Sequence, residues 1–160
     1  MEINVLIDSE FESLLDAGEL QSTVEEIVTA VEVSSNVEIG LVITSQEKIR
    51  ELNKTYRGID EPTDVLSFSL LPPNREDEGG GTPPFVAAPD GVLHLGEIII
   101  SYPQAETQAR EHKHSIYREI TILIIHGVLH LLGHDHEEAD EARQMSAREA
   151  DILERVEAGG

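Results

Sequence analysis

The residues with the clearest capacity for chemistry are the histidines of the segment His126-Gly127-Val128-Leu129-His130-Leu131-Leu132-Gly133-His134-Asp135-His136. Residues four apart share one helical face, so His126 and His130 can present their imidazoles to a common point. Gly133 can take up the left-handed conformation that ends a helix, and the turn it makes carries a further histidine back toward that point. The spacing His-x3-His-x2-Gly-x2-His is the ligand spacing of metzincin zinc enzymes. Three neutral imidazole nitrogens at about 2.0–2.1 Å from zinc leave a fourth vertex for water, whose pKa the ion lowers to about 7. The expectation is one zinc ion held by His126, His130 and His136.

Two histidines at i and i+4 in an apolar helix are, as a pair, more often satisfied core residues. The glycine and the third histidine at metalloenzyme spacing tip the reading to metal. His134 is i+8 from His126 and would face the ion if the helix ran on through Gly133; a turn there selects His136. In metzincins a glutamate follows the first histidine as general base. Here that position is Gly127, so a peptidase would lack its proton acceptor.

Several elements must position these side chains. Ile3, Val5 and Ile7 alternate as in a strand, as do Val37–Thr44 and Asp64–Leu70, while Val92–Ser101 has a nearly continuous apolar end suited to a sheet centre. Ser9 with Glu12, Thr23 with Glu26 and Thr44 with Glu47 have the spacing of capping boxes. The first two are read as opening helix up to about Val33, and the third a short helix through Asn53. A polar helix is expected from Tyr102-Pro103 toward Lys113, and a central apolar one from about Ser115 to Leu132. Glu137–Glu157 reads as a charged amphipathic helix with Met145, Ile152, Leu153 and Val156 inward. Residues 71–91 hold five prolines, a triple glycine and a charged run, and are expected to be a mobile surface loop. The fold class is α+β: a mixed four-stranded sheet packed with helices, the zinc site lying on the central apolar helix and the turn after it.

The 160 residues, 39% hydrophobic, suit a single domain spanning 1–160. With no cysteine, disulfides, thiolate zinc sites and a cysteine nucleophile are excluded. No secretory signal or membrane span is apparent, and a cytoplasmic location is expected. The formal net charge of −21 counts against unspecific nucleic-acid binding, which needs cations. An RNA substrate would need a local basic patch or a partner that delivers it. Lys48, Arg50, Lys54 and Arg57 make one candidate edge, and Arg110, Lys113 and Arg118 with His112 and His114 another.

The segment HGVLHLLGHDH resembles the signature of the YbeY family of metal-dependent endoribonucleases, which act in ribosomal RNA maturation. Two further blocks are similar: Asn53-Lys54-Thr55-Tyr56-Arg57-Gly58-Ile59-Asp60 with Thr63–Phe68, and Leu95–Ser101. The three span Asn53 to His136 in order. His134 stands where the family carries an aromatic, and Glu97 where it carries aspartate. The resemblance implies zinc on His126, His130 and His136, and makes Arg57 the important basic residue, since a guanidinium can grip two phosphoryl oxygens. The residues alone leave Arg57 open between that role and a salt bridge to Asp60.

Asp135 is a candidate for orienting an imidazole, Glu97 for accepting a proton, and Thr63, Asp64 and Ser67 for lining a cleft. The function expected is a zinc-dependent, single-strand-specific endoribonuclease acting in 16S rRNA maturation and ribosome quality control, with a ribosomal protein or assembly factor as partner. A zinc hydrolase of other specificity, and a non-catalytic ribosome-assembly factor braced by zinc, are the alternatives.

Overall fold

The computed structural model describes residues 2–31, 37–69, 93–131, 147, 149–154 and 156. The segment 71–91, Asp135, and His134 and His136 with the turn at Gly133 lie outside the described residues. Four strands, β1 (Glu2–Ile7), β2 (Val37–Thr44), β3 (Val65–Ser69) and β4 (Leu93–Ser101), form one sheet in the order β1-β2-β4-β3. β1 and β4 run parallel to β2, and β3 runs antiparallel to β4. The sheet is therefore mixed, and the fold is α+β as expected. Interior placement of β4 suits its Ile98-Ile99-Ile100 run, which is buried on both faces.

Helices α1 (Ala17–Ala30), α3 (Tyr102–Glu111) and α4 (Ile116–Leu131) contribute to the larger core. Leu20, Val24 and Ile27 of α1 and Ile120, Ile124 and Val128 of α4 close there over Leu41, Ile43, Ile98 and Ile100. Helix α2 (Gln46–Arg57) covers the opposite face, where Ile49 packs with Leu66 and Ile99. Successive strand residues point to opposite faces, so this division assigns every β4 side chain to one layer. Residues 149–154 are helical, and Ile152 joins the larger core as its apolar periodicity predicts.

Two helix starts differ from the sequence reading. Ser9 and Glu12 lie in turns, with Phe11 N bonded to Asp8 O and Leu14 N to Phe11 O. Asp16 is the actual N-cap of α1, accepting from the amides of Gly18 and Glu19, and Thr23 sits mid-helix with its hydroxyl on Glu19 O. Burial of Phe11 and Leu15 favours a compact turn over an earlier helix. Likewise Ser45, not Thr44, caps α2. The Thr44 hydroxyl donates to Asp8 instead, at 2.8 Å. α2 runs past Asn53 to Arg57 and stops at Gly58, whose φ of 70° is the left-handed conformation that glycine adopts without penalty.

Candidate active site

α4 is helical because Ile120, Leu123, Ile124, Val128 and Leu131 recur at helical spacing and all are buried. Its approach to the sheet is unusually close at one residue. A Cβ placed on Gly127 would lie 2.9 Å from Ile98 Cγ2 and 3.0 Å from two more Ile98 carbons. Glycine is thus required by helix–sheet contact. The same fact explains why no glutamate base follows the first histidine: position 127 points into the sheet, and a carboxylate there would be buried against isoleucine.

His126 and His130, one turn apart, are both half-buried at the rim of this contact. Their Nε2 atoms are 3.0 Å apart and their ring centroids 4.5 Å. With metal–nitrogen bonds of about 2.0–2.1 Å, that separation corresponds to an angle at an ion of roughly 94°, and a tetrahedral angle needs only about 0.3 Å more. Two imidazoles suit borderline divalent ions. Glu149, on the helical segment 149–154, places Oε1 3.0 Å from His126 Nδ1. A carboxylate that accepts a hydrogen bond from Nδ1–H holds the proton on that nitrogen and leaves Nε2 with its lone pair directed inward, the usual support for a liganding histidine. Glu149 also lines a cavity of about 220 Å³ with Ile122, Ile125, Ala150 and Leu153. Sequence reasoning missed Glu149; the charge-rich segment gives no local sign of which acid turns inward.

β3 flanks the same helix. Ser67 Oγ and Ser69 Oγ approach the carbonyls of Gly127 and Leu131 at 3.5 Å each, so Ser67 does border the histidine face. Asp64 does not: it accepts from Val65 N at 2.8 Å and from Gln108 Nε2 at 3.3 Å, tying β3 to α3. Glu97 is exposed, and adjacent Ile98 faces Gly127. Glu97 therefore lies on the sheet face away from α4, which removes it as a proton acceptor beside the histidines.

Arg57 ends α2, exposed, in the last turn beside Lys54. The salt bridge weighed for it does not form. Asp60 pairs with Arg50, Oδ1 to Nε at 2.8 Å, and that hydrogen bond holds the Asp60 carboxyl below its ordinary range and the guanidinium above its own. Among the described residues Arg57 has no ion-pair partner. The Asn53 side chain is buried; its amide donates to Glu61 O at 2.9 Å and shapes the turn after Arg57.

The second candidate basic edge is largely neutralised. Arg110 pairs with Glu106. His112 Nδ1 and His114 Nε2 both approach Glu119 Oε1, at 2.8 and 2.6 Å.

An apolar helix offering two imidazoles to one point, with a carboxylate behind one ring, is the construction of a metal-dependent hydrolase. Comparison with known proteins narrows that class. The family model described as Endoribonuclease YbeY matches residues 6–157. Endoribonuclease YbeY of Dehalococcoides mccartyi strain 195 is 50% identical over 138 residues, covering 86% of this chain and 80% of the relative. That of Thermoanaerobacter sp. strain X514 is 40% identical over 161 residues, covering 98% and 99%. The solution structure of TM1509 from Thermotoga maritima is similar with a TM-score of 0.60 and 32% identity, covering 96% of this chain and 88% of that one. The chain belongs to the YbeY endoribonuclease family. No helix among the described residues is long and apolar enough to cross a membrane.

Proposed function

We propose that the protein is a zinc-dependent endoribonuclease that cuts single-stranded RNA in the cytoplasm and acts in 16S rRNA maturation and ribosome quality control. The observation that carries the reading is the 3.0 Å approach of His126 Nε2 to His130 Nε2 with Glu149 on the outer nitrogen of His126. Family membership makes RNA the substrate and hydrolysis the reaction. His126 and His130, with His136 as the third ligand, would hold the ion. When bound, zinc supplies Lewis acidity toward a phosphoryl oxygen or toward water.

The protein's own residues do the rest. Glu149 keeps His126 in one tautomer, and the packing of Gly127 on Ile98 fixes the helix that carries both rings. Arg57 is the residue assigned to phosphate, because phosphodiester cleavage concentrates negative charge on oxygens that a guanidinium can grip in pairs. A net charge of −21 opposes unaided approach to RNA. With Arg50 engaged by Asp60 and Arg110 by Glu106, a ribosomal protein or assembly factor is the reading for how the strand is delivered.

Incubation of zinc-loaded protein with single-stranded and duplex RNA, beside His126→Ala, tests this. Cleavage of the single strand that the variant lacks is expected. Equal cleavage by both proteins, or none by either in the presence of ribosomal subunits, would remove the proposal.

A further inference from the structure

We propose that His112, His114 and Glu119 form a second divalent transition-metal site, which clasps the turn between α3 and α4. The three donor atoms lie within 4.8 Å of one another. Glu119 is the most constrained member: its side chain is only 3% exposed, in the first turn of α4, and two imidazole nitrogens meet at its Oε1. Burying a carboxylate is costly unless positive charge or strong donors compensate. Here the compensation comes from two residues that are also the commonest metal ligands.

The local backbone brings the rings to the same acid. Lys113 adopts φ of 57°, the left-handed region that a lysine rarely occupies. That residue turns the chain so that residues 112 and 114 set their ring centroids 5.4 Å apart. His112 hydrogen-bonds through Nδ1 and His114 through Nε2, so each ring has its other nitrogen left for a second partner. Neighbouring ligands on an ion are about 3.0–3.4 Å apart for bonds of about 2.0–2.1 Å. The present contacts of 2.6 and 2.8 Å therefore need to open by a few tenths of an ångström. His112, 56% exposed, is free to make that adjustment and leaves the site accessible.

Two imidazoles and one carboxylate select borderline divalent ions such as zinc, cobalt or nickel over magnesium or calcium. Glu119 and His126 are seven residues apart on one helix, about 10 Å along its axis. That exceeds the roughly 3.5–4 Å of a paired catalytic centre. The ion is therefore independent of the histidine pair and joins α3 to α4.

Cobalt(II) is the probe. Metal-stripped protein is dialysed against cobalt(II), and the bound equivalents are counted for the wild type, His112→Ala, His126→Ala and the double variant that carries both changes. The exposed position of His112 keeps that variant folded. Two ions in the wild type and one in each variant are expected, with the melting temperature of His126→Ala rising on cobalt addition and that of the double variant unchanged. A single ion lost in His112→Ala and kept in His126→Ala would support this site while sinking the proposed catalytic one. As many ions in His112→Ala as in the wild type, whether one or two, or no ion in any protein, would overturn the second site.

Discussion

Glu149 Oε1 stands 3.0 Å from Nδ1 of His126, a contact across 23 residues of chain that determines which nitrogen of the ring faces His130. The carboxylate orients the ring and raises its basicity, and losing such support costs about 10–100-fold in metal affinity. Glu149→Gln should weaken zinc binding by that order in a chelator competition. Its melting temperature without metal should stay close to wild type, since the side chain is 26% exposed. Unchanged affinity would show that Glu149 is a bystander.

The close approach at Gly127 makes a prediction of opposite character, about stability alone. Alanine in a helix interior is better than glycine by about 1 kcal/mol. Forcing a methyl against Ile98, which is fully buried, costs typically about 1–3 kcal/mol. Overpacking wins, so Gly127→Ala should be destabilised by about 1 kcal/mol, or a few degrees in melting temperature for a chain of this size. A higher melting temperature than wild type would mean that the helix has room to move off the sheet.

How much of this was legible beforehand depends on the range of the interaction. β2 matches its expected bounds at Val37 and Thr44, because alternation is a property of consecutive residues. α4 and the pairing of His126 with His130 follow from a 3.6-residue period, again local. The cap of α1 lies seven residues beyond Ser9 and that of α2 one beyond Thr44, because Ser9 and Thr44 are chemically able to cap but are engaged otherwise, Ser9 in a turn closed by the burial of Phe11 and Thr44 by Asp8. Glu149, the Ile98 contact behind Gly127, and the choice of Asp60 for Arg50 over Arg57 depend on where separate elements dock. No spacing within one element encodes that.

The Arg50–Asp60 pair gives a pH dependence with a definite sign. The hydrogen bond from Arg50 holds the Asp60 carboxyl below its ordinary value of 3.8. A carboxyl lowered in the folded state adds stability that is present above the ordinary value and is lost as pH falls through the lower, folded one. The pair lies on the surface, so the contribution is small and screened by salt. Following the Asp60 carboxyl by NMR should show a midpoint below 3.8 in the wild type, moving up toward it in Arg50→Gln. A wild-type midpoint at or above 3.8 would show that the pair does not persist in solution.

Arg57 separates a functional role from a structural one more sharply than any other position. It is exposed at the end of α2 and, among the described residues, has no ion pair, so Arg57→Gln should alter stability by no more than about 0.5 kcal/mol. If it binds phosphate as proposed, the lost charge-assisted hydrogen bonds are worth about 1.5–3 kcal/mol, and RNA cleavage should fall by about 10–100-fold. Lysine keeps the charge but not the two-pronged geometry, so Arg57→Lys should recover only part of the rate. Zinc affinity should be unaffected by either change, because a guanidinium has no lone pair to offer an ion and Arg57 is not among the proposed ligands. Wild-type cleavage by Arg57→Gln would transfer the phosphate-binding role to another cation.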